Sequence, residues 1–87
     1  MTLIELIERL LPYFPKLPPE VAEFFGEILL TGDPGKVDTY DLRTTIYVLP
    51  LRSPFHNAAL SLLHAVQDTN YVDHYIRYAN VYLNQIP

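Results

Sequence analysis

The chain has no cysteine. It therefore holds no disulfide, no thiolate metal site and no cysteine nucleophile. Small secreted domains commonly rely on such staples, so their absence points to an intracellular, cytoplasmic setting. Long apolar runs are missing too. None approaches the roughly 18 residues that a membrane-spanning helix needs, and no span is expected. The stretch Met1-Thr2-Leu3-Ile4-Glu5 lacks the basic region of a signal peptide, and Glu5 and Glu8 interrupt its apolar character. Clustered cations are also lacking. The six Lys and Arg are scattered at Arg9, Lys16, Lys36, Arg43, Arg52 and Arg77, and the formal net charge is -4. Neutralising the phosphates of nucleic acid or of an anionic membrane surface needs cations side by side, so neither partner is expected.

Signatures of chemistry are equally sparse. The turn cluster Thr31-Gly32-Asp33-Pro34-Gly35-Lys36 sets two glycines around a proline, but the Walker spacing of a phosphate loop is absent. There is no Gly-x-Ser-x-Gly elbow for a serine nucleophile. His64 and Asp68 stand four residues apart, a spacing that can hold a metal, yet two ligands do not make a site. The third would have to be His56 or His74. His74 adjoins Asp73, but consecutive residues on a helix point in different directions, so they form no acid–base pair. No metal, cofactor or enzymatic activity is expected.

What is present is a globular composition. The 87 residues are 49% hydrophobic and 18% charged, enough for a single helical domain over 1–87 and too apolar for disorder. A chain this short buries only about 60% of its unfolded surface, so its core is small.

The first helix is expected over 3–11. Thr2 and Glu5 fit a capping box, and Leu3, Ile7, Leu10 and Phe14 share one face. Glu5 and Arg9 form an i,i+4 pair. Pro12 should end this helix. The stretch Pro12-Tyr13-Phe14-Pro15-Lys16-Leu17-Pro18-Pro19 contains Pro-x-x-Pro spacings, but its aromatic and apolar weight favours a rigid turn between helices over a ligand segment. A second helix follows over 19–30, burying Val21, Phe24, Phe25 and Ile28, with Gly32 as its stop. Mid-helix Gly26 suggests close approach of another helix.

Residues 39–49 are ambiguous. Leu42, Ile46 and Leu49 have helical spacing, while Thr44-Thr45-Ile46-Tyr47-Val48 suits a strand. No second strand is in view to pair with it, and the reading taken is helix. Ser53 and Pro54 open a further helix, with Phe55, Ala59, Leu62, Leu63 and Val66 inward and Asn57, Ser61, His64 and Asp68 outward. Asn70 is expected to cap the last helix. No repeat of 20 to 50 residues is found.

Two surfaces are candidates for partner binding. Glu20, Glu23 and Glu27 make an acidic stripe on the second helix, suited to a basic protein surface. In the last helix, Tyr71, Tyr75, Tyr78 and Tyr82 recur at steps of four, three and four. Val72, Ile76, Ala79 and Leu83 form a parallel aliphatic stripe, read as core, and Asp73, Arg77, Asn80 and Asn84 a polar one. Tyr78 is expected to pack partly on the core, and Tyr75 and Tyr82 to be the more exposed. Tyrosine supplies large, rigid contact area at modest entropic cost.

The expected fold is all-α, a single domain of four to five short helices. The expected function is that of a small acidic, non-catalytic protein–protein interaction module, an inhibitor or adaptor. Its alternatives are a self-associating structural subunit of a homo-oligomer or particle, and a small enzyme or metal-binding protein.

Overall fold

The structure, a computed structural model, describes residues 2–33 and 53–86. The ambiguous segment 39–49 lies outside them. Among the described residues the fold is all-α and holds no strand. It has four α-helices: α1 (Leu3–Leu10), α2 (Pro19–Thr31), α3 (Pro54–Gln67) and α4 (Val72–Asn84). Short 3-10 segments occupy Leu11–Lys16 and Thr69–Tyr71.

Each helix starts and stops for a local reason. At α1, the Glu5 amide donates to Thr2 Oγ1 at 3.2 Å, and that hydroxyl donates to Glu5 Oε1 at 3.2 Å. Thr2 is thus the expected N-cap, and Glu5 reaches back to its hydroxyl in place of the backbone amide of a full capping box. Pro18 and Pro19 open α2, where the missing amide hydrogen costs nothing. Gly32 closes it in the left-handed region, with φ 72°, and its amide donates to the Ile28 carbonyl at 2.8 Å. The cap before α4 is Asp68 rather than Asn70. Its Oδ1 accepts from the Asn70 amide at 3.2 Å, because a 3-10 turn precedes the α-helix and shifts the cap back. Of the Pro-x-x-Pro stretch, Pro12 to Lys16 lie in a 3-10 helix and only Leu17 and Pro18 are extended, too short a run to present the extended helix of proline-rich ligands.

One core joins all four helices: Leu6, Ile7 and Leu10, then Val21, Phe24, Phe25 and Ile28, then Ala58, Ala59, Leu62 and Leu63, then Ala79 and Leu83, with Leu17 from the connector. Helix α1 packs against the other three, while α3 and α4 make the most extensive pair. Both helices bury small side chains: Ala58, Ala59 and Ala79 are fully buried. The connector works as a wedge. Tyr13 stacks on Phe55 at 5.2 Å, and Phe14 stacks on Phe25 at 6.2 Å.

Three expectations need correction. Leu6 is fully buried, although the expected face of α1 passed it by. Ser61 was expected to face outward, but it is buried, as is His56. Helix α3 has neighbours on more than one side, so its buried arc is wider than a single stripe. Among the described residues nothing comes close to Gly26: a methyl built there meets nothing within 4 Å. Glycine in a helix interior costs about 0.5–1 kcal/mol against alanine. Gly26→Ala is therefore expected to raise the melting temperature by about 2–8 °C. An unchanged or lower value in a thermal scan would put another group against this position.

Candidate interaction surface

Helix α4 presents the main candidate surface, and its geometry follows from helical rotation at about 100° per residue. Ala79 and Leu83 are buried, and Ile76 packs against the core. This bears out the aliphatic stripe as the inner face at Ile76, Ala79 and Leu83; Val72, at its N-terminal end, is half-buried. The tyrosines are not a single face. Tyr75 and Tyr82 lie about 70–90° from the centre of the buried arc, and Tyr71 and Tyr78 about 110–130°. The stripe therefore straddles the edge of the core. Tyr82 packs against the core and Tyr75 is half-buried, whereas Tyr71 is 59% exposed and Tyr78 48% exposed. The expected assignment of Tyr78 as the inner residue and of Tyr75 and Tyr82 as the outer pair is reversed.

The exposed stripe has different members. Tyr71, His74, Tyr78 and Val81 follow one another at steps of three, four and three, all exposed, with Val81 at 50%. Counting tyrosines alone does not find His74 and Val81, although the same three-four spacing runs through them. Imidazoles brace the tyrosines. The His64 ring of α3 stacks on Tyr75 at 5.3 Å with 22° between planes. His74 meets Tyr78 edge-on at 4.6 Å and Tyr75 at 5.9 Å. Asp73 and Arg77 lie exposed on one flank of the stripe. A shallow depression of about 320 Å³, lined in part by Tyr71, His74 and Arg77, opens at its N-terminal end.

The remaining polar residues of α4 are structural. Arg9 of α1 donates from Nη1 to Asn80 Oδ1 and from Nη2 to Asn84 Oδ1, both at 3.1 Å. This fork fastens the first helix to the last. The acidic stripe sits elsewhere. Glu20, Glu23 and Glu27 are all exposed on α2, and the next position along the stripe is Leu30, 88% exposed. Helix α1 packs against both α2 and α4, which have no extensive contact with each other. The structure therefore does not merge the two candidate surfaces into one.

The groups considered for chemistry have local partners. Asp68 caps the turn before α4, and His64 stacks on Tyr75. No three histidine, aspartate or glutamate side chains gather into a metal site among the described residues. Ser53 Oγ lies 2.7 Å from His56 Nδ1. That is a nucleophile–base distance, but the pair sits three residues apart within the first turn of α3. Ser53 caps there through the ring instead of through a backbone amide. Among the described residues no helix is long and apolar enough to cross a membrane. No family model matches the chain, and no curated protein or solved structure is similar to it.

Proposed function

We propose that the protein is a non-catalytic recognition module, acting as an inhibitor or adaptor, and that the outer face of α4 is its contact surface. The observation that carries this reading is the exposure of Tyr71, Tyr78 and Val81 in one stripe on a helix whose opposite face is fully committed to the core. Large apolar groups left in water along a line are costly unless something covers them, and tyrosine is enriched where proteins meet. The acidic stripe on α2 adds long-range attraction toward a basic surface, which acts mainly on the rate of encounter.

The test is capture from native lysate on immobilised protein, with the parent compared against a Tyr78→Ser, Val81→Ser variant. Both side chains are exposed, so the variant is expected to keep its helical spectrum and to lose the captured species. Undiminished capture would remove α4 from the reading. A Glu23→Lys, Glu27→Lys variant is expected to bind the same species more slowly and with less salt dependence; identical association kinetics would leave the stripe as a solvated face only.

A further inference from the structure

We infer that the surface which covers the outer face of α4 is the same face of a second copy of this chain, packed antiparallel across a twofold axis. The inference rests on the reading of α4 as a contact surface and names its partner.

Register is the first ground. Tyr71, His74, Tyr78 and Val81 have the three-four spacing that two helices need to interdigitate side chains along a seam. In an antiparallel pair related by a twofold axis, residues oppose one another when their numbers sum to a constant. A sum of about 152 sets Tyr71 against Val81 of the other copy and His74 against Tyr78 of the other copy, and then the same two layers again in reverse order. All four exposed side chains of the stripe find a partner, and none is left over. The layers also alternate an aromatic with a smaller group at the ends, while the existing edge-on His74–Tyr78 contact continues into the other copy at the centre.

Charge selects this arrangement independently. The two ionised side chains beside the stripe, Asp73 and Arg77, have opposite signs and share one flank. The twofold brings that flank onto itself. In the stated register Asp73 lies two positions, or about 3 Å along the axis, from Arg77 of the other copy, on the same side of the seam. The symmetry makes the pair twice. A parallel arrangement would instead carry this flank of the second copy to the opposite side of the seam and leave both charges unpaired.

A single helix pair buries less than the roughly 800 Å² per partner of a stable complex. The dimer is therefore expected to be weak, dissociating in the range of tens to hundreds of micromolar.

Sedimentation equilibrium from about 10 μM to about 1 mM reads the proposal directly. The parent is expected to shift from monomer to dimer and to stop there, because a twofold contact closes on itself. Asp73→Arg and Arg77→Asp, each alone, are expected to weaken the dimer at least about tenfold by setting like charges opposite one another. The double exchange Asp73→Arg, Arg77→Asp is expected to restore it. Far-UV circular dichroism on each variant checks that α4 remains folded. A parent that stays monomeric at the highest concentration, or a double exchange no better than the single variants, overturns the second copy as the occupant. If the lysate capture still depends on Tyr78 and Val81 in that case, the contact surface stands and its partner is a different protein. If capture is indifferent to them as well, the contact surface itself is wrong.

Discussion

Phe25→Ala is expected to take away most of the protein's stability. Phe25 is fully buried and is the largest of the fully buried side chains. It stacks with Phe14 of the connector and contacts Phe24 at 5.9 Å, so its ring holds α2 and the connector against the core together. Truncating a buried phenylalanine typically costs about 3–5 kcal/mol, in part through the cavity left behind. A domain of this size has about 5–15 kcal/mol at most, and the lower end is the relevant one for a small core. For so short a chain, each 1 kcal/mol moves the midpoint by about 4–8 °C, so a fall of at least about 12 °C is expected. Thermal unfolding followed by circular dichroism measures it. Phe25→Leu, which keeps most of the volume, should fall by much less. A drop of only a few degrees for Phe25→Ala would mean that the inner face of α2 is loosely packed.

The second large effect separates two pairs of tyrosines on one helix. Tyr75→Ala, Tyr82→Ala is expected to destabilise the protein by about 3 kcal/mol or more, because Tyr82 packs on the core and Tyr75 carries the His64 stack. Tyr71→Ala, Tyr78→Ala is expected to change stability by only about 0.5 kcal/mol, the usual range for exposed positions. Both melts belong at one dilute protein concentration, so that self-association does not add to the apparent stability. Equal losses in the two pairs would mean that α4 is turned about its axis, with both pairs equally close to the core. The reverse ranking would restore the assignment expected from the sequence.

The local rules were legible because they depend on neighbours along the chain. Thr2 with Glu5 announced the first cap, Pro19 the start of α2 and Gly32 its end, and Val21, Phe24, Phe25 and Ile28 repeated at the helical period. What could not be read was the number of neighbours each helix would acquire. A single stripe describes a helix with one neighbour. Helix α1 has three, so Leu6 joined Ile7 and Leu10 inside. Helix α3 likewise drew in His56 and Ser61. The tyrosine stripe shows the same limit at finer scale. Its period was correct, but a rotation of about 40° decides which tyrosines are wet, and that rotation is set by how α4 seats on α3. Arg9 was paired locally with Glu5 on spacing alone. Its reach to Asn80 and Asn84 involves residues far away in the sequence, which no local pattern encodes.

That long reach has a consequence for how the molecule holds together. Closing a loop costs entropy that grows as the logarithm of its length. The Arg9–Asn84 contact spans 75 residues, which corresponds to about 4 kcal/mol on that scale. The turn between α3 and α4 is four residues long, residues 68–71, and corresponds to only about 1 kcal/mol. The α3–α4 hairpin is thus held by its own short tether as well as by its packing. Helix α1 has no such tether to α4; the guanidinium fork and its apolar face, Leu6, Ile7 and Leu10 with Leu3 and Ile4 beside them, hold it in place, and each time it lets go it must find its way back across most of the chain.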